Sequence, residues 1–253
     1  NFTDEIMPPL ADYGGGSGCG SMYFHDERWP AEYRNLLLTC DWGTSNVHSH
    51  KLPVNGATFD PQQDTFLKIP RPTDIDVDAS GRMYVSSWKN GKFAYDGPDV
   101  GFVAQVTPTD FLAKPVPDVR QLEVTSLIDL LQHPSAAMRL HVQHEILRRS
   151  DTKKRATTED DGPSPLNEEL FTFAADPKTS LYGRAAAIFT LKQSLGARAN
   201  YELLQLAKDA ALTEYCLRAI ADRKSELDGV TPGPFLDGLQ NSNPRVQAVA
   251  LIG

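Results

Sequence analysis

The chain has 253 residues, 40% of them apolar, and carries a net charge of −8. That length suits two modest domains, and the acidic balance argues against a nucleic-acid groove, which would need a basic stripe. No apolar run approaches the ~20 residues of a membrane span, and no signal peptide is visible in the polar, Pro- and Gly-rich start at Asn1.

Up to Thr107 the sequence reads as β structure. Met22–His25, Leu36–Trp42, Val47–Leu52 and Thr65–Lys68 are four strand-like runs, followed by Asp74–Asp78, Met83–Trp88 and Gly101–Val106. Gly, Asn, Asp and Pro clusters separate them, and Asn55-Gly56 and Ala79-Ser80-Gly81 are tight-turn sequences. Four strands and then at least three more, in this order, predict about two blades of a β-propeller over 1–107. A ring usually needs four to eight such blades, so the remaining blades are expected before Asn1. Cys19 and Cys40 lie near two neighbouring strands. They allow a disulfide in an exported protein, or two buried thiols. Cys216 sits on an apolar helical face and reads as core. No C-x-x-C or C-x-x-C-H occurs, which excludes an attached c-type haem and a zinc knuckle within this segment.

A Pro-rich linker over 108–120 (Pro108, Pro115, Pro117) precedes a change of period. From 121 to 253 apolar residues recur at helical spacing, and His133-Pro134, Asp176-Pro177 and Asn243-Pro244 each mark a break before a second helix. Arg139, Arg184, Arg218 and Gln247 occupy equivalent positions in successive helical pairs, and Asp151–Pro165 reads as an inserted loop. Spacings of about 30 to 45 residues between helix–turn–helix units predict an α-solenoid of HEAT-like repeats. The pattern is still helical at Ile252, so both chain ends read as cut.

Particular motifs carry a resemblance. Gly16-Ser17-Gly18-Cys19-Gly20, Trp29-Pro30-Ala31-Glu32-Tyr33-Arg34 and Cys40-Asp41-Trp42-Gly43 resemble a blade of the exported propeller proteins of planctomycete-type bacteria. His48-Ser49-His50-Lys51-Leu52 with Gly56-Ala57-Thr58-Phe59, Arg71-Pro72-Thr73-Asp74-Ile75-Asp76-Val77 and Gly81–Trp88 extend the likeness, which covers roughly 14–253. Those proteins are described as membrane-bound-dehydrogenase-like or as haem-binding C-x-x-C-H proteins, and are distantly similar to the soluble quinoprotein sugar dehydrogenases. The resemblance implies a periplasmic location and a parent protein that passes electrons to a cytochrome c-like domain outside this chain. Quinone or haem c would then belong to that parent. The missing blades and the cytochrome domain would be partners in cis.

Several residues are candidate sites, each with a bland reading beside the functional one. His48 and His50, two apart on a strand, face one way with His25 nearby. They read as a metal or quinone-facing set, or as a polar blade face. Asp74, Asp76 and Asp78 share a strand face, about 7 Å apart in succession. They read as a Ca²⁺ site, or as carboxylates paired with Arg71, Arg82 and solvent. By the resemblance, Arg71 and Asp74 stand where such enzymes hold cofactor and substrate; a structural Arg71–Asp74 salt bridge is the alternative. Trp88, Lys89 and Tyr95 read as a ligand surface or as packing. On the helices, His141, His144 and Glu145 have metal-ligand spacing or form a solvated face. Arg139, Arg184 and Arg218 read as an anion ladder or as intra-repeat bonds. Gly14-Gly15-Gly16 precedes no helix and is no phosphate loop. Two function classes remain: the redox role implied by the resemblance, and a non-enzymatic binding or scaffold module with a protein partner on the helical repeats.

Overall fold

The computed structural model describes residues 11–12, 16–89, 100–156, 165–227 and 229–253. They group into two units, 1–55 with 59–114, and 56–58 with 115–253. In the first, short apolar runs between turn residues form antiparallel strands. β1 (Gly18–Phe24), β2 (Leu36–Asp41), β3 (Asn46–Lys51) and β6 (Gln62–Lys68) make a four-stranded sheet in the order β1-β2-β3-β6. A two-residue hairpin joins β4 (Val54–Asn55) to β5 (Thr58–Phe59), with Gly56 at φ 59, where a side chain would be strained. β7 (Pro72–Val77), β8 (Met83–Ser87) and β9 (Phe102–Val106) form a three-stranded sheet.

Alternation fixes which side of each strand is buried. Leu36, Leu38 and Cys40 of β2, Ile75 of β7, and Met83 and Val85 of β8 join Phe24, Trp29, Val47 and Ile69 in one apolar cluster. A one-residue slip in any of these strands would turn that set toward solvent. β1 and β7 pack on each other, and a Cβ on Gly20 would strike the backbone and carboxylate of Asp74. That contact therefore needs glycine.

The second unit is helical: α1 (Val124–Asp129), α2 (Ala136–Ala156), α3 (Pro165–Ala175), α4 (Leu181–Leu195), α5 (Asn200–Leu206), α6 (Thr213–Ala221), α7 (Gly233–Leu239) and α8 (Pro244–Ile252). Ser180 caps α4 by accepting from Gly183 N–H at 3.3 Å. Asn243 caps α8 from just before Pro244, accepting from Arg245 N–H at 3.0 Å. α4 is the hub, packed against α2, α3 and α6, with Ala187, Ile188 and Leu191 buried. Polar groups tie the helices as well. Gln143 Nε2 on α2 donates to the Ala186 carbonyl at 3.0 Å and to Thr190 Oγ1 at 3.1 Å on α4. Arg245 on α8 holds Glu214 on α6 through two bonds of 2.9 and 2.6 Å. The buried ammonium of Lys192 meets Asn200 Oδ1 at 2.9 Å and Glu226 Oε2 at 3.2 Å.

This architecture corrects the expected one. The protein is mixed α/β with small, open antiparallel sheets. Among the described residues no ring of blades closes, and the second sheet has three strands. The pattern of strands and turns specifies hairpins, whereas closure depends on edges that no local period encodes. A solenoid of HEAT-like repeats is not shown either. The helices run from 6 to 21 residues, with short 3-10 turns between several of them, so no constant unit repeats. α2 also continues to Ala156, through part of the stretch expected to be an inserted loop, and 157–164 lie outside the described residues.

Candidate functional site

The turn after β2 gathers several of the expected residues. Asp41 is fully buried, and its carboxylate accepts from the N–H groups of Ser17 at 2.7 Å and Gly43 at 2.9 Å, and from Thr44 Oγ1 at 2.6 Å. Burial alone would raise its pKa, but these donors outweigh it and hold the carboxyl below its ordinary range. His48 Nε2 stands 3.9 Å from Asp41 Oδ2. His50, also buried, shares a 3.0 Å hydrogen bond with Thr39 Oγ1. Burial and then the neighbouring His48 push its pKa down. The two histidines thus belong to the sheet interior, not to an exposed blade face.

Arg71 occupies the link between β6 and β7 at φ 44, a left-handed conformation that costs an arginine roughly 1 kcal/mol or more. Its guanidinium lies 4.7 Å from the centre of the Trp42 ring, and Trp88 packs 6.1 Å from Trp42. Arg71 therefore joins an aromatic stack at the ends of β2 and β8. Lys89 is exposed, and Tyr95 lies outside the described residues.

The three aspartates are used separately. Asp74 and Asp76 are exposed, and each accepts from the N–H of its next residue, at 2.9 and 2.8 Å. Asp78 lies past the end of β7. Its carboxylate accepts from Ser80 Oγ at 2.6 Å, Arg82 N–H at 3.1 Å and Tyr84 Oη at 3.1 Å. Burial raises the Asp78 pKa and these bonds, stronger together, lower it. Among the described residues no group of three or more His, Cys, Asp or Glu side chains is arranged to hold a metal ion. Asp74, Asp76 and Asp78 each accept from separate groups.

Cys19 and Cys40 are neighbours but are not joined; both are free thiols. Cys19 Sγ is exposed and donates to the carbonyls of Cys40 at 3.4 Å and Pro72 at 3.1 Å. Burial, then Cys19 and Asp74, push the Cys40 thiol up to about 12.

On the helices, Glu145 is committed to two arginines. Arg148 bonds it at 2.7 Å through each of two nitrogens, and Arg149 bonds it at 2.7 Å. Arg148 first, against the effect of burial, holds Glu145 down at about 2. This leaves His141, His144 and Glu145 without the carboxylate that a metal site would use. Arg139 donates to the His133 carbonyl at 2.6 Å and lies 4.3 Å from the Tyr182 ring. Arg184 donates to the Ala174 carbonyl at 2.7 Å and to Asp209 at 2.6 Å. Both tie helix ends together, so neither belongs to an anion ladder.

An open cleft of about 720 Å³ involves none of these residues. It lies in the first unit, between the loop 28–34, β6 and the segment after β9, and Tyr33, Phe66, Phe111, Arg34 and Glu32 line it. Pro30 opens a 3-10 turn over Ala31–Tyr33, which lifts Tyr33 to 39% exposure. Beneath it, Trp29 is buried and packs edge-on against Phe24 at 4.7 Å, with Tyr33 at 6.5 Å and Phe111 at 5.9 Å. Tyr33 meets Phe66 at 6.0 Å. Arg34 Nε donates to the Trp29 carbonyl at 2.6 Å, and Arg28 grips the buried Asp26 at 2.5 and 2.8 Å. Sequence reasoning missed this cleft because its aromatic residues come from three separate segments. The one local signal is Trp29-Pro30 followed by an exposed Tyr33.

Among the described residues no helix is long and apolar enough to cross a membrane. No family model, no curated protein and no solved structure matches the chain, so its functional reading rests on these residues themselves.

Proposed function

We propose that this chain is a non-catalytic binding module whose first unit holds an extended peptide segment of a partner protein in the Tyr33–Phe66 cleft. The observation that carries this reading is the exposed Tyr33 ring, positioned from below by Trp29 and from the side by Phe66, in an open cleft of about 720 Å³. Rigid tyrosines offer large contact area at small cost in side-chain entropy, and aromatic grooves take extended and Pro-rich peptides. Glu32 and Arg34 at the rim supply charges of both signs for register.

The test selects peptides from a random display library on the whole chain, then measures their affinity by calorimetry for the wild type and for Tyr33→Ala and Phe66→Ala. The expected result is a tenfold or greater loss in both variants, with unchanged tryptophan emission. Selected peptides that bind all three proteins equally would place the binding surface elsewhere.

A further inference from the structure

The walls of the Tyr33–Phe66 cleft restrict how a peptide can be held there. On the loop wall, Trp29 N–H donates to the Asp26 carbonyl at 3.1 Å, Tyr33 N–H to the Pro30 carbonyl at 3.0 Å and Arg34 N–H to the Ala31 carbonyl at 3.3 Å. The Trp29 carbonyl accepts from Arg34 Nε at 2.6 Å. On the segment after β9, Phe111 N–H donates to the Pro108 carbonyl at 3.1 Å. Pro30 and Pro108 also line the cleft and have no N–H to offer. Neither wall therefore presents the uninterrupted run of free donors and acceptors that a pairing strand needs.

β6 supplies the third wall and, among the described residues, is an edge strand of its sheet. Its register is broken where it meets the cleft. Val47 faces Leu67 and His48 faces Thr65, so Phe66 is the extra residue of a β-bulge. A bulge bends an edge and re-aims the side chain it carries. Here Phe66 and its neighbour Leu67 both line the cleft, which regular alternation would prevent. A strand added along β6 would lose its pairing at the same point.

Charge narrows the choice of ligand further. Arg28, Arg34, Glu32 and Asp110 are the charged residues of the lining, two of each sign, and Arg28 is already committed to the buried Asp26. A lining so balanced selects neither a basic nor an acidic segment. What it offers a ligand is ring surface. Tyr33 and Phe66 stand edge to face at 80° and form an apolar corner.

We infer that the partner segment is uncharged and Pro-rich and binds as a polyproline helix, resting on the reading of this cleft as a peptide site. Such a helix has no internal hydrogen bonds, and its prolines carry no N–H, so they need no acceptor from the walls. Pro-rich segments dock in aromatic-lined grooves, and their helix is ordered before it binds.

The test is calorimetric titration of the whole chain with decaproline and, separately, with a ten-residue peptide of alternating Thr and Gln, which can pair as a strand. Saturable binding is expected for decaproline alone. It should be retained in Tyr33→Phe, which keeps the ring, and weakened at least about tenfold in Tyr33→Ala. Added sodium chloride should leave it unchanged, because no charge is matched. Unchanged tryptophan emission will show that each variant is folded, and Phe66→Ala serves as a second variant should Tyr33→Ala unfold. Binding of the Thr-Gln peptide as tight as that of decaproline would overturn the inference, as would decaproline binding that is weakened by salt or indifferent to both alanine substitutions. Absence of decaproline binding would overturn it too, while library-selected peptides that still depend on Tyr33 would keep the cleft as a peptide site. Library peptides that all ignore Tyr33 would remove that reading as well.

Discussion

The indole Nε1 of Trp29 donates to the carbonyl of Gly81 at 2.9 Å. This single bond ties the loop that carries Tyr33 to the turn between β7 and β8. Arg28 adds a second tie, its guanidinium donating to the Ala79 carbonyl at 3.3 Å. The cleft floor and the hairpin turn thus depend on each other.

Gly81→Ala is expected to break that dependence. Gly81 sits at φ 94, and a Cβ there would lie 2.6 Å from the Phe111 ring and 2.7 Å from the Arg28 guanidinium. Backbone strain of about 1–3 kcal/mol adds to the displacement of both neighbours. We expect a loss of at least about 2 kcal/mol in urea unfolding followed by tryptophan emission. A loss below about 0.5 kcal/mol would show that the turn is not held as described.

Thiol chemistry checks the unjoined cysteines. In the folded chain, one equivalent of a thiol reagent at pH 8 should modify Cys19, which is exposed. Cys40 and Cys216 are buried, and burial pushes each up to about 12. They should react only after denaturation. A folded chain with no reactive thiol, and a denatured unreduced one with a single reactive thiol, would mean that Cys19 and Cys40 are bonded after all.

The two units should answer to acid in different ranges. His50 has a depressed pKa, so below about pH 6.5 the unfolded chain takes up a proton before the folded one does. Stability of the first unit therefore starts to fall as pH drops through that value. Glu145 behaves as a depressed acid. Its contribution is complete above about pH 4.5 and is lost as pH falls toward about 2. Allowing for solvent screening of the half-exposed Arg148, the contribution is about 1–2 kcal/mol. Trp29, Trp42 and Trp88 all lie in the first unit, so tryptophan emission follows it, while circular dichroism follows the helices. The emission-monitored melting temperature should decline first as pH is lowered. Identical pH profiles for both signals would contradict this order.

Much of the local structure was legible. The run from Asp74 to Val85, with Ser80-Gly81 at its centre, announces its hairpin by alternation and turn chemistry. Pro244 opens α8, where proline is tolerated in the first turn, while Pro134 and Pro177 lie in the breaks just before α2 and α4, since proline cannot continue a helix. How strands and helices assemble was not legible, since a strand edge looks the same in sequence whether it closes a ring or faces solvent. Arg184 illustrates the limit on the helices. Its recurrence suggested a ladder, while its partners, the Ala174 carbonyl and Asp209, are set by a bend and a neighbouring helix. The cleft was hidden for a related reason, because Tyr33, Phe66 and Phe111 meet only through the third dimension.

Lys192 imposes an order on how the helical unit is completed during synthesis. Its ammonium is 4% exposed, and an ion so enclosed is strongly destabilising without a counter-charge. The counter-charge is Glu226, and Asn200, which also holds Lys192, donates to the Glu226 backbone carbonyl at 2.8 Å. A nascent chain ending anywhere between α4 and Glu226 would have to leave that amine in water, with the end of α4 not yet packed. The hub helix can settle only after the ribosome has delivered a residue two helices further on.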